Sequence, residues 1–178
     1  MSTMNTIKIS VVATLVALCI ATNYALIGAH QVKAMDFIVF IGGFCFGPFV
    51  GALIGILTWA VYGTINPYGF IPQVWLSTMF SESIYGIVGG LLGTSLASSD
   101  LNNQRLRLSI LLGTTGFVLT VIYDLITNIV FASVFEQPII VAIAWGAPST
   151  VLHELSNATI FTVGSFPMIK TIRKITGR

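Results

Sequence analysis

The sequence predicts an all-α integral membrane protein, a compact bundle of six transmembrane helices with both termini in the cytoplasm. Three observations carry the membrane class; the span count and orientation rest on the elements and charges that follow. Of 178 residues, 55% are hydrophobic and 8% charged, against about 25% charged in a soluble domain. The mean hydropathy is +0.93. The apolar residues gather in runs close to the ~20 residues that cross ~30 Å of hydrocarbon. So few polar side chains cannot cover a water-facing surface, which excludes a soluble globule and a disordered chain. The 8 basic and 6 acidic residues leave a net charge of +2. That is too little for a groove tracking phosphates, so nucleic acid is excluded as a partner.

The elements follow in chain order. The first span, 7–27, opens at Lys8 and is apolar from Ile9 to Leu26. A cleaved signal peptide has an apolar core of only ~7–15 residues, so the run reads as a retained helix, although Gly28 and Ala29 mimic a cleavage site. A short wet segment, His30 to Asp36, carries Lys33. The apolar run from Phe37 to Gly63 would be about 40 Å long as one helix. Gly47-Pro48 interrupts it: proline lacks a backbone donor and a glycine beside it favours a turn. Two short spans, 34–47 and 48–63, are therefore expected. The turn-rich stretch Thr64 to Pro72 leads to a span at 73–97. Ser98 to Arg107 is aqueous, and 107–135 is the fifth span. After the loop around Glu136 to Pro138 comes the last span, 147–168, with Pro148 suited to a first helical position after Trp145-Gly146-Ala147. The tail carries Lys170, Arg173, Lys174 and Arg178.

Charge fixes the orientation but not the count. Cationic loops stay in the cytoplasm, which places Ser98–Arg107 and the C-terminus there. With six spans only Lys33 lies outside; with five, only Lys8 does. The five-span alternative stays open on charge alone. In either topology the protein is a multi-pass protein of the plasma membrane, with the lipid bilayer as its first partner.

Small residues recur at helical spacing. Ala13, Ala17, Ala21 and Ala25 run along the first span, Gly43, Gly47, Gly51 and Gly55 through the next stretch, and Gly86, Gly89, Gly90 and Gly93 crowd the fourth. Such strips let helix backbones approach closely in lipid. They serve packing within a bundle or a face for another membrane protein, and the alanine strip suits the second role best.

Ionisable residues at membrane depth are costly and usually functional. Here they are Glu82, Asp124, His153 and Glu154, with Tyr85, Asn128 and Asn157 nearby. Asp124 and Asn128 share a helix face at i, i+4, as do His153 and Asn157, and Glu82 and Tyr85 are neighbours at i, i+3. In the six-span arrangement these groups fall in the outer half of the membrane, with Glu82 ~14 Å below the outer end of its helix. The inner half is apolar and small. A pocket open to the outside over a closed floor is expected. Trp59, Trp75, Tyr68 and Trp145 lie near the same level. Trp75 and Tyr68 suit the interfacial aromatic belt, while Trp59, being deeper, is placed to stack on a ligand.

Two motifs are decoys. His153-Glu154-Leu155-Ser156-Asn157 resembles the start of a zincin helix, but Asn157 replaces the second histidine. Asn157-Ala158-Thr159 fits a glycosylation sequon inside an apolar span. Cys19 and Cys45 have neither metal nor redox spacing and read as small buried hydrophobes. No metal set, cofactor motif or catalytic constellation is expected, and the protein is not expected to be an enzyme.

The chain resembles the substrate-binding S components of energy-coupling factor (ECF) vitamin transporters over nearly its full length. The carrying features are Ala13/Ala17/Ala21, the glycine-rich stretch Gly42 to Gly51, Tyr123-Asp124-Leu125-Ile126-Thr127-Asn128, and His153 to Asn157. The resemblance implies capture of a vitamin or precursor at the outer face, then docking on a transmembrane scaffold subunit with two cytoplasmic ATPases. It assigns the docking strip to Ala13, Ala17 and Ala21. No phosphate-binding G-x-x-x-x-G-K-[ST] motif is present, so ATP hydrolysis falls to partners. The substrate-binding residues expected are Trp59, Glu82, Tyr85, Asp124, Asn128, His153 and Asn157. This acidic, amide-rich set suits a neutral or cationic nitrogen heterocycle better than a polycarboxylate. The alternative is a proton-coupled secondary transporter using Glu82, Asp124 and His153.

Overall fold

In the computed structural model, which describes residues 6–67, 69–97 and 104–176, the chain forms six helices. They are α1 (Thr6–Ala25), α2 (Ala34–Phe46), α3 (Pro48–Ile65), α4 (Pro72–Ser95), α5 (Arg105–Val134) and α6 (Ile139–Thr176). Among the described residues there is no strand. Tyr68, Arg178 and residues 98–103 of the expected cytoplasmic loop lie outside the described residues.

The break between α2 and α3 follows local chemistry. Gly47 sits at φ 101°, a region open to glycine and strained for other residues. Its N–H donates to Gly43 O at 2.7 Å and closes α2. Pro48 then opens α3, where a missing N–H costs nothing.

α2 is the centre of the bundle. It packs against α1, α3, α4 and α6, and every residue from Met35 to Phe44 is buried. At 13 residues it is ~20 Å long, shorter than the hydrocarbon, and it is sheathed by its neighbours. α5 and α6 form an antiparallel pair that closes the other side against α4 and α2. α1 lies at the edge and touches only α2 and α3 extensively.

Glycine makes the central contacts close. A Cβ on Gly86 of α4 would run into the backbone of Gly51 in α3, and one on Gly43 of α2 would run into the Gly86 carbonyl. Gly89 faces the Phe40 carbonyl, Gly93 the Phe44 carbonyl and Gly90 the Pro48 ring. Three helices therefore meet at backbone separation. Leu91, Ile110, Phe117, Leu152, Leu155 and Val163 point outward from the bundle, as a lipid-facing surface requires.

Four helices, α1, α3, α5 and α6, are long and apolar enough to cross a membrane. α2 is apolar but short, and α4 carries Gln73, Ser77, Thr78, Ser81, Glu82 and Ser83. The last helix departs from expectation. It starts at Ile139, and Pro148 lies inside it rather than at its first position. The reason lies in the preceding turn. Glu136 takes φ 51°, and Gln137 N–H donates to Ala132 O at 2.9 Å. This six-to-one bond is a Schellman closure, and it lets α6 begin at once. Gly146 faces the Asn128 amide of α5, and a proline inside a membrane helix packed among neighbours is tolerated, as at Pro148.

Candidate functional site

α1, α3 and α5 end, and α2, α4 and α6 begin, at one end of the bundle. The polar side chains converge near that end. His153 of α6 is buried, 1% exposed, and bridges two carboxylates. Its Nδ1 lies 3.0 Å from Asp124 Oδ1 on α5, and its Nε2 lies 2.8 Å from Asp36 Oδ2 on α2. One turn on, Asn157 Nδ2 donates to Asp36 Oδ2 at 2.7 Å and to Thr120 Oγ1 at 2.9 Å. Thr120 also accepts the Tyr85 hydroxyl at 2.9 Å and donates to Gly116 O. The Thr120 hydroxyl thereby fills both lone pairs and its proton. On the far side, Trp59 Nε1 reaches Glu82 Oε2 at 3.4 Å.

Beneath this network lies an aromatic floor. Phe161 packs against Phe37, Phe40 and Tyr85 with ring centroids 5.3, 5.0 and 6.3 Å away. Deeper positions on α5 and α6 turn apolar: Leu108 and Leu112 on one, Phe166 and Ile169 on the other. The polar layer thus sits between open helix ends and a mostly apolar interior that also holds the buried Ser165.

Two cavities open above the network. One, of about 220 Å³, is lined by Trp59, Thr78, Asp124, Thr127 and Asn128. The other, of about 260 Å³, is lined by Asn23, Met35, Trp59 and Tyr62. They share Gln31, Lys33 and Trp59. Gln31 holds the left-handed φ of 58°, an uncommon conformation for a non-glycine residue. It is held there by Ser156 Oγ, which donates to Gln31 O at 3.0 Å. His30 Nε2 lies 3.2 Å from Ser149 Oγ, so the α1–α2 connection is pinned to α6 at two points. The Lys33 ammonium sits 5.3 Å from the centre of the Tyr123 ring, a cation–π contact at the cavity edge.

Of the seven residues singled out as substrate-binding, Trp59, Asp124 and Asn128 line the 220 Å³ cavity. Glu82, Tyr85, His153 and Asn157 stand behind it, each fully or almost fully buried, and hold the lining residues in place. Asp36 is the main omission. Sequence alone placed it at the end of a wet segment, yet it is 0% exposed in the first turn of α2. α2 is buried nearly all round, and in its first turn only Ala34 is partly exposed, so Asp36 faces the neighbouring helices rather than water. The sequence signal is the unbroken apolar run Phe37-Ile38-Val39-Phe40-Ile41 that follows it. Thr120 carried no such signal. Trp75 also differs from a simple belt residue: its indole N–H donates to Trp59 O at 2.8 Å and ties α4 to α3. Among the described residues, no group of three or more His, Cys, Asp and Glu is arranged to hold a metal ion.

The structure is a helical membrane bundle with a buried polar network under a cavity. A family model described as ECF-type riboflavin transporter, S component, matches residues 3–174. The chain belongs to this family of ECF S components. Its members are membrane-embedded substrate-binding subunits for vitamin uptake. No curated protein and no solved structure was found to match the chain.

Proposed function

We propose that this protein captures a flavin-type nitrogen heterocycle, riboflavin foremost, at the extracellular end of a six-span bundle whose termini are cytoplasmic. The loaded protein then docks on an ECF transmembrane scaffold subunit with two ATPase subunits, which supply the energy for uptake. The observation that carries this reading is the cavity lined by Trp59, Asp124 and Asn128 directly above the Asp36–His153–Asp124 bridge.

Charge supports the orientation. Lys8, Arg105, Arg107, Lys170, Arg173 and Lys174 lie towards the end away from the cavities, while Lys33 lies beside them. Retention of cations in the cytoplasm puts the cavities outside. Riboflavin is a neutral fused-ring heterocycle with an N–H between two carbonyls and a polyhydroxylated tail. Trp59 offers a stacking surface, and Asp124 and Asn128 offer an acceptor and an amide to the ring edge. The second cavity, reached past Trp59, suits the tail. The family description names riboflavin, which supports that choice over other heterocycles. It does not favour a proton-coupled secondary transporter.

Docking is assigned to Ala13, Ala17 and Ala21. All three are exposed, on the side of α1 away from Val12, Cys19 and Asn23, which face the bundle.

The test is a titration of purified protein with riboflavin, followed by quenching of flavin fluorescence. Saturable quenching is expected, with Asp124→Asn weakening it on the order of 100-fold, as loss of a hydrogen bond to a charged group does. Absence of quenching by folded protein, together with a different heterocycle extracted from it and identified by mass spectrometry, would refute the riboflavin assignment.

A further inference from the structure

Asp36 makes no contact with either cavity, yet it is the hub of the buried network. Its Oδ2 meets His153 Nε2 and Asn157 Nδ2. The Glu82 carboxyl lies against it from α4. Two oxygens of this pair, Asp36 Oδ1 and Glu82 Oε1, are buried without a hydrogen-bond donor. Buried acceptors left bare are expensive. A proton on one of the two carboxyls turns it into a donor and relieves the pair.

The imidazole is constrained in the same way. Each ring nitrogen of His153 lies within 3.0 Å of a carboxylate oxygen. An ionised carboxylate only accepts, so a bare ring nitrogen facing one would set acceptor against acceptor. The groups that face His153 and could alter this are Asp36 on α2, Asp124 and Tyr123 on α5, Lys33 before α2, and Glu154 and Asn157 on its own helix. Glu82 acts on it through Asp36. With His153 carrying two N–H groups and the Asp36–Glu82 pair sharing one proton, every donor in the chain points towards a carboxylate.

We propose that Asp36 is a positioning residue for ligand selection: it holds His153 as a double donor and so presents Asp124 to the cavity as an acceptor-only carboxylate. This rests on the capture function proposed above and specifies which ligand edge the site reads. The chain Trp59–Glu82–Asp36–His153–Asp124 begins and ends on the same cavity, since Trp59 and Asp124 both line it. An acceptor-only Asp124, which already accepts from His153 Nδ1, selects a ring N–H that donates to its remaining lone pairs and disfavours a ligand whose alkylated nitrogen covers that edge without donating.

Two measurements on the full chain test this. The first is nitrogen NMR of protein labelled with ¹⁵N-histidine, free of ligand, at neutral pH. The chain has 2 histidines, His30 and His153, and the spectrum of His30→Gln assigns them. His153 is expected to show two protonated ring nitrogens, and Asp36→Asn to show one. A bare nitrogen on His153 in the parent protein overturns the proposal, whatever ligand the protein takes and whether or not the variant folds. The second compares riboflavin with 3-methylriboflavin. The parent is expected to prefer riboflavin on the order of 10- to 100-fold, as loss of one hydrogen bond to a charged group requires. Asp36→Asn is expected to lose most of that preference. Equal binding of the two flavins by the parent overturns the proposal. If folded parent binds neither flavin, the riboflavin assignment fails, and the nitrogen spectrum still decides the role of Asp36.

Discussion

Two strips of small residues run through this molecule and they face opposite ways. The glycines of α2, α3 and α4 are turned inward, where Gly43, Gly51 and Gly86 bring three backbones together. The alanines of α1 are turned outward: Ala13, Ala17, Ala21 and Ala25 are all exposed. The alanines and the series Gly43, Gly47, Gly51 and Gly55 share a four-residue period in sequence, yet the glycine series is broken at Gly47 between α2 and α3, so spacing alone does not tell what a strip is for. What separates them is the neighbour. A glycine is required where backbone meets backbone. Alanine suffices where the strip only has to be smooth, and its helix is held to the bundle by the other face.

The largest expected effect on stability follows from the inward strip. Gly86→Leu drives a side chain into the α3 backbone at Gly51 and Ala52. Overpacking that cannot be relieved by rotating a side chain costs about 3 kcal/mol or more. Little folded protein is expected, as read by yield and by thermal unfolding in detergent. A stable, well-expressed Gly86→Leu would mean that α3 and α4 are not in backbone contact.

His153→Ala comes next. It leaves Asp36 and Asp124 without their shared donor. Leaving a buried acceptor without its donor costs about 1–3 kcal/mol, reduced to the degree that water enters the space left. His153→Ala is thus expected to lower the unfolding temperature and to lose flavin binding together, while Asp124→Asn, at the cavity edge, loses binding with a smaller change in stability. Thermal unfolding measured alongside the fluorescence titration separates the two.

A smaller effect is expected of Trp75→Phe. It removes the hydrogen bond to Trp59 O but keeps most of the ring. A single neutral hydrogen bond contributes about 1 kcal/mol. If the unfolding temperature does not move, the tie between α4 and α3 is made by the ring alone.

The sequence showed the helices whose signals are local. The Gly47-Pro48 break follows from two adjacent residues with opposite backbone needs, and it appears where expected. The spacing of Asp124 with Asn128 and of His153 with Asn157 put the right groups on common faces. Asp36 was hidden for a physical reason. An acidic residue in a first helical turn is favourable at a water-exposed helix start; its burial comes from four neighbouring helices, none of which the local sequence describes. Pro148 misled for a related reason. The rule that places proline at the start of a helix is a statement about an isolated helix, and in a membrane bundle a proline inside a helix is tolerated among packed neighbours. The division between lining residues and supporting residues was equally invisible, because Glu82 and Asp124 have the same chemistry and differ only in what lies above them.

The smallest expected effect on stability belongs to the outward strip, and it separates the two strips most cleanly. Ala17→Leu adds three carbons to a face that touches no other part of the bundle, so unfolding is expected to shift by no more than about 0.5 kcal/mol. Flavin binding by the isolated subunit is expected to remain, since Ala17 lines neither cavity. Uptake into vesicles containing the scaffold and ATPase subunits is expected to fall strongly, because a branched side chain interrupts the strip between Ala13 and Ala21. Retained uptake would show that the scaffold docks elsewhere. Loss of stability or binding to the extent seen with Gly86→Leu would show instead that the alanine face packs within the bundle, and the distinction between the two strips would disappear.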